Sequence, residues 1–485
     1  MRMKKTVWGF FCVSFLLMAV AGHAVNAAGS YIPDITVEKE EASDSVAGSS
    51  ILNTAAREQE ASNPAADISL YATAAVLIDA DSGRVLYGKN ENTPMAMAST
   101  TKIMTCIQVL EHASLDDVLT VSSYAASMPQ VKLNIRKGEE YTVRDLLYSL
   151  MLESHNDSAV ALAEHVGRQF LPQELKTKPV SEYTAEESRQ AVAEFAGLMN
   201  DKAAELGCVD TWFITPNGLD EVEEIVLQDG QIVQKEHSTT AAELARIMAY
   251  CIKESPMRED FLEVTGTSNY SFYANGRSFS CVNHNAFLTM MDGALSGKTG
   301  FTNKAGYCYV GALKRDDRTF VVALLACGWP NNKTYKWSDT RELMQYGIDN
   351  YFYRSFTEDG VIFDGSILQP IPVEEGRTEV FGETAHVEII VAGRDGSGTE
   401  WKDVHNDGEL LDAERLLMRA DEQIQVDYTV VDMLTAPVES GTRVGMVEYS
   451  VGGVVYRQEV IVTAGTVERI DLRWCIRGII DRFLL

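Results

Sequence analysis

Apolar and polar positions change rhythm several times along this chain, and each change marks an expected boundary. Residues 7–21 form an apolar run behind Arg2, Lys4 and Lys5. Small residues follow at Val25-Asn26-Ala27. A basic start, an apolar run and small residues make an export signal over 1–27, with cleavage expected after Ala27. As a helix the run would be roughly 22 Å long, short of the roughly 30 Å hydrocarbon core, which favours cleavage over an uncleaved anchor. Residues 28–68 then lose all periodicity. Glu38, Glu40, Glu41, Asp44, Glu58 and Glu60 punctuate a Ser/Ala-rich stretch with few large apolar residues. Such a segment cannot bury enough surface to order itself, and a flexible acidic tether is expected.

Regular patterning begins near Ser69. Residues 74–79 and 85–89 read as strands, with Asp81-Ser82-Gly83 as turn chemistry between them. A mostly helical region follows over about 99–260. Three strand-like runs come next, 294–300, 307–312 and 319–325, joined by Asn303-Lys304-Ala305-Gly306 and Asp316-Asp317. A helix over 338–352 closes the unit. Strands at both ends with helices between predict an α+β domain around an antiparallel sheet over 69–355. Residues 356–467 read as a second, small all-β domain: Ile424, Val426, Tyr428 and Val430 alternate with polar neighbours, and two apolar runs flank Gly452-Gly453. It holds no cluster of catalytic residue types, so a spacer or adaptor role is expected. Laid on a helix, residues 468–485 place Leu472, Cys475, Ile476, Ile479, Ile480 and Phe483 on one face and Arg469, Arg473 and Arg477 toward the other. That pattern suits a helix lying in a membrane interface. Gly478 weakens the helix, and Trp474 falls on the polar side.

Composition narrows the partners. The net charge of -28 excludes nucleic acid as the main partner, because no basic run in the body of the chain offsets it. The chain is long enough for two or three domains, and 46% apolar residues allow a core without staples. Past the signal, Cys106, Cys208, Cys251, Cys281, Cys308, Cys327 and Cys475 are odd in number and irregularly spaced, so buried free thiols are expected rather than a disulfide framework. No CxxC or HExxH spacing supports a metal site, and no cofactor is expected.

Three short motifs carry candidate chemistry. Ser99-Thr100-Thr101-Lys102 precedes the apolar helical face Ile103, Met104, Ile107 and Leu110. A serine and a lysine three apart at a helix start share one side of the first turn. A lysine whose pKa is lowered by burial or a nearby cation can take the serine's proton. Ser154-His155-Asn156 stands just before a second apolar helix. Its hydroxyl can shuttle a proton, and its amide can hold a peptide carbonyl and orient Lys102. Lys298-Thr299-Gly300 ends a strand. Lys298 can supply positive charge, Thr299 can bond a substrate carboxylate, and Gly300 permits close backbone approach. Alone, each motif equally describes a helix cap or a strand end. Together, in this order, S-x-x-K, S-x-N and K-T-G are the signature of penicillin-binding proteins and serine β-lactamases.

The sequence resembles the D-alanyl-D-alanine carboxypeptidase family of low-molecular-mass penicillin-binding proteins over about 70–352. The resemblance includes Met97 to Thr105, Thr215-Pro216-Asn217-Gly218-Leu219-Asp220, His237 to Ala241 after an insertion, and Lys298 to Cys308. It implies that Ser99 is acylated, Lys102 accepts its proton, and Ser154 and Asn156 complete the site. It implies that Lys298 engages the terminal carboxylate and that the N–H groups of Ser99 and Phe301 form the oxyanion hole. Lys336, with Lys333 as competitor, stands where relatives often carry a basic residue near that carboxylate. The implied substrate is a peptidoglycan stem peptide ending in D-Ala-D-Ala, with β-lactam antibiotics as mimics. The implied location is the outer face of the cytoplasmic membrane, held by the C-terminal helix. Two departures stand out: His155 is bulky for the middle of its motif, and residues 221–236 lengthen a loop. The alternatives are a serine β-lactamase, which needs a water-activating glutamate for which Glu174 is the nearest candidate, and a wall-binding protein without turnover.

Overall fold

The structure, a computed structural model, describes residues 68–226, 230–356, 363–392 and 415–483. The expected signal and the tether up to residue 67 lie outside the described residues. Five strands form one antiparallel sheet in the order Val85–Lys89, Ala74–Asp79, Arg318–Leu325, Gly306–Arg315, Ala294–Thr302. The first strand of the unit therefore pairs with its last, Ala75 opposite Leu324 and Val76 opposite Ala323. These central strands read as continuous apolar runs because both faces of the sheet are covered, and the period of two sorts their side chains. Val76, Ile78, Val321 and Ala323 join Ile103, Met104 and Ile107 of the helix Lys102–His112 in the larger core. Leu77, Phe320, Val322 and Leu324 pack on Leu343 and Met344 of the helix Tyr335–Asn350. That helix starts three residues earlier than the sequence pattern predicts, with Tyr335 stacked on Tyr71 at 3.7 Å between ring centroids.

The helical layer contains Val143–Leu152, Asn156–Gly167, Ala185–Glu205 and Ala241–Lys253. Ala185–Glu205 opens with a capping box between Thr184 and Glu187. Two elements have no counterpart in the sequence reading. Asn269–Ala274 and Arg277–Val282 form an aromatic hairpin, Phe272 stacked on Phe279. The insertion, expected as a lengthened loop, forms a hairpin of Val222–Val226 with Ile232–Glu236. Its inner face is fixed by Trp212, which donates to Glu223 at 2.5 Å and lies under the Lys235 ammonium. Lys304, in the turn after the edge strand, pairs with Glu236 at 2.6 Å.

The sheet-rich C-terminal region has its own core, including Ile371, Val373, Leu416, Val447, Tyr449 and Ile461. Its largest sheet runs Ile389–Val391, Val454–Thr463, Arg443–Val451, Gln425–Val430. Val451 pairs with Val454 across Gly452-Gly453, both at positive φ, which is the hairpin turn expected from those glycines. Arg84 ties the two regions: it bonds the Leu417 carbonyl, pairs with Glu422 at 2.5 Å and lies over the Tyr351 and Tyr456 rings.

The helix Leu472–Phe483 explains the two misfits in its sequence pattern. Trp474 stacks on Phe381 at 5.0 Å, and a side chain at position 478 would sit 2.7 Å from the same ring. The helix thus docks by its Trp474–Gly478 side. Leu472, Ile476, Ile479 and Ile480 remain exposed on the other. No helix among the described residues is long and apolar enough to cross a membrane.

Candidate active site

Ser99 lies in the short 3-10 turn Ala98–Thr101, which runs directly into the helix beginning at Lys102. Thr100 and Thr101 tie their hydroxyls back to the carbonyls of Met97 and Ala98 at 2.6 and 2.8 Å, which fixes this tight turn. Lys102 is fully buried, and its amine meets Ser99 Oγ at 2.8 Å, Asn156 Oδ1 at 2.9 Å and the Asn217 carbonyl at 2.5 Å. The two carbonyl oxygens can only accept. A neutral amine therefore gives them its two hydrogens and turns its lone pair to the Ser99 hydroxyl. Asn156 is held in turn, its NH2 donating to the Pro129 and Gln130 carbonyls at 3.3 and 3.2 Å.

Lys298 donates to Ser154 Oγ and to the Thr299 carbonyl, each at 2.9 Å. Ser154 thus sits on Lys298 rather than on Lys102. Burial pushes Lys298 down to about 7. Lys102 is pushed far below its ordinary value, by burial first and by the Lys298 charge second, with Asp157 opposing. The two ammonium groups disfavour each other, and the Lys298 charge adds to burial in favouring the neutral form of Lys102.

The edge strand Ala294–Thr302 lies against the nucleophile turn. A Cβ at Gly300 would fall 2.9 Å from the Ser99 nitrogen and 3.1 Å from both Ala98 Cβ and the Met97 carbonyl, so only glycine allows this approach. Thr299 is half-buried on that strand, and Phe301 is exposed and packs on Tyr307 at 4.6 Å. Ser99, Lys102, Ser154, Asn156, Lys298, Thr299, Gly300 and Phe301 are thus gathered along one strand edge and two helix starts. Lys336 is buried in the first turn of the helix Tyr335–Asn350. It donates to the Lys333 carbonyl at 2.6 Å, and its ammonium lies over the Tyr307 and Trp337 rings at 4.7 and 4.9 Å. Glu174 is exposed on the small helix Gln173–Thr177 and bonds none of these groups among the described residues.

Three groups escaped the sequence reading of the site. The Asn217 carbonyl takes Lys102, but a backbone acceptor leaves no side-chain signal. Asp157 is buried and accepts from the amides of Leu133, Asn134 and Ile135, fastening the loop beside Asn156. His237 takes the Ile214 amide on Nδ1 at 2.9 Å, so Nε2 carries the proton and donates to Thr101 Oγ1 at 2.8 Å. Burial depresses His237 to about 3 and keeps it neutral. It links the loop carrying Asn217 to the nucleophile turn, and its place directly after the insertion was the available hint.

A serine paired with a buried lysine, beside an antiparallel edge strand carrying a second lysine, defines a serine acyl-transfer site. The sequence profile of the D-alanyl-D-alanine carboxypeptidase family matches residues 57–169 and 184–327, more than half of the sequence. The chain belongs to this family. It is 30% identical over 283 residues to the D-alanyl-D-alanine carboxypeptidase DacF of Bacillus subtilis, covering 57% of this chain and 62% of that one. It is 25% identical over 406 residues to the D-alanyl-D-alanine carboxypeptidase DacC of Escherichia coli, covering 81% of this chain and 83% of that one. The crystal structure of the D-alanyl-D-alanine carboxypeptidase DacD from Francisella tularensis superposes with a TM-score of 0.57 at 20% identity. That likeness covers 85% of this chain and 98% of the other, and it bears on the fold, including the sheet-rich C-terminal region.

Proposed function

We propose that this chain is a penicillin-binding serine carboxypeptidase that removes the terminal D-alanine from peptidoglycan stem peptides through an acyl-enzyme on Ser99. The observation that carries this reading is the Lys102 amine, buried and flanked by two carbonyl acceptors, with Ser99 Oγ at 2.8 Å. Lys102 takes the Ser99 proton as Oγ attacks the carbonyl of the penultimate D-alanine. The N–H groups of Ser99 and Phe301 hold the oxyanion across the close approach at Gly300. Lys298 and Thr299 receive the substrate's terminal carboxylate, whose charge favours the protonated form of Lys298. As the C–N bond breaks, the departing amine gains the proton that Lys102 took from Ser99, which returns Lys102 to its neutral form, while Lys298 holds the Ser154 hydroxyl beside the site. Water then attacks the ester with Lys102 again as base, releasing the shortened peptide. A penicillin enters by the same attack and leaves a slow ester. The exposed position of Glu174 supplies no support for the class A β-lactamase route. The test is D-alanine release from a pentapeptide ending in D-Ala-D-Ala, beside a Ser99→Ala control. Release that survives in the control refutes the assignment.

The reading extends to location. The chain is exported and then rests on the outer face of the cytoplasmic membrane through Leu472, Ile476, Ile479 and Ile480. Their exposure on a helix anchored from its opposite side supports this. Leu472→Glu with Ile476→Glu is expected to abolish sedimentation with phosphatidylglycerol vesicles. Unchanged sedimentation contradicts the role given to this face.

A further inference from the structure

The turn between the helices Val143–Leu152 and Asn156–Gly167 carries two site residues that point to different lysines. Ser154 meets Lys298, and Asn156 meets Lys102. Between them stands His155, buried and without a capping hydrogen bond of its own. Its Nδ1 lies 2.8 Å from Ser149 Oγ in the preceding helix, and Ser149 Oγ lies 2.8 Å from Ser158 Oγ in the following one. The imidazole therefore pins the turn to both helices at once. Ser154 itself is held at φ +65°, a left-handed conformation that a non-glycine residue keeps only when its surroundings impose it. The far side of the turn is also fastened. Glu153 accepts the Val282 amide at 2.8 Å, and the His284 amide donates to the Leu152 carbonyl at 3.2 Å. His155 is thus the side chain that closes the turn from within.

We propose that His155 is a positioning residue whose neutral imidazole, bonded to Ser149, holds Ser154 on Lys298 and Asn156 on Lys102, so that protonating it loosens the site in acid. The inference rests on the acyl-transfer reading of Ser99 and Lys102. The titratable groups around the ring are Glu153, with an oxygen 3.8 Å from Nε2, then Asp157, Lys102 and His284. Burial is the largest influence and holds the ring below the ordinary histidine range. The two carboxylates oppose that, while Lys102 and His284 reinforce it. The ring is therefore neutral through neutral pH. A proton gained in acid converts Nδ1 from an optional acceptor into an obligatory donor, adds a cation beside the two site lysines, and draws the ring toward Glu153.

The experiment compares wild type, His155→Asn and His155→Ala in the full chain, by the second-order rate of labelling with a fluorescent penicillin. Asparagine places an amide near the position of Nδ1 and does not titrate. At about pH 8 the alanine variant is expected to label about tenfold to a hundredfold more slowly, with the asparagine variant within about threefold of wild type. On moving to about pH 5, wild type is expected to lose more rate than the asparagine variant, because the Lys102 limb is common to both and the imidazole limb is not. A merely structural role would not separate these pH profiles. Alanine labelling at the wild-type rate, or an asparagine profile parallel to wild type, overturns the proposal. Should wild type take no label at all, the acyl-transfer reading fails instead. The positioning claim is then decided by NMR: a Ser154 amide resonance that moves with the His155 titration supports it, and one that does not move overturns it.

Discussion

Asn156→Asp is the substitution that probes the lysine base most sharply, because it changes one atom's charge without changing shape. The new carboxylate oxygen would stand where Oδ1 stands, 2.9 Å from the Lys102 amine. At an effective dielectric near 20 the attraction between unit charges at that separation is about 6 kcal/mol. If about half of it is spent on burying the carboxylate, about two pKa units remain to raise Lys102. The sign is clear. Raising Lys102 removes the unprotonated base, so acylation at neutral pH should fall about a hundredfold and recover as pH rises. The lost NH2 group also leaves the Pro129 and Gln130 carbonyls facing a carboxylate, which should lower stability by about 1–3 kcal/mol. The assay is the pH profile of penicillin acylation, with a melting curve to separate folding from chemistry. A variant that melts near wild type and keeps the wild-type acid limb would refute the assignment of Lys102 as base.

Other consequences follow from single contacts. Gly300→Ala forces the edge strand away from the Ser99 nitrogen, so acylation should drop at least about tenfold, at a stability cost of about 1–3 kcal/mol read from thermal melts. Glu164, bonded to Ser122 and otherwise enclosed, is raised by burial from 4.5 to about 7. A carboxyl raised in the folded state stabilises below its unfolded value and loses that contribution as pH climbs to the folded one. Wild type should therefore lose up to about 3 kcal/mol between about pH 4.5 and about pH 7 through this group, and Glu164→Gln should lack that loss in melting curves. Gly478→Leu should clash with Phe381 and release the last helix, seen as faster proteolysis after residue 470 with unchanged penicillin acylation.

The sheet was legible because its central strands are buried on both faces and so read as apolar runs of the right length. Pairing of the first strand with the last could be inferred only as a class of arrangement, since register resides in contacts such as Val76 with Ala323. The site's side chains were legible as three motifs. What escaped was whatever acts through backbone or through burial. The Asn217 carbonyl has no identity in sequence, and Asp157 and His237 do their holding from inside the fold. Lys336 was legible only as a basic residue, and its surroundings were not. It lies in the first turn of a helix, and its amine meets the Lys333 carbonyl and two aromatic rings. The insertion looked like a loop because its alternation is short. Its anchors, Trp212 and Lys304, lie outside it in sequence.

The central claim is that Ser99 is the residue that becomes acylated. Incubation with benzylpenicillin, followed by intact-mass measurement and fragmentation of the proteolysed chain, tests it directly. The account predicts one penicilloyl adduct per chain, located on Ser99 and absent from Ser99→Ala. An adduct on any other residue, or undiminished labelling of the alanine variant, would contradict it.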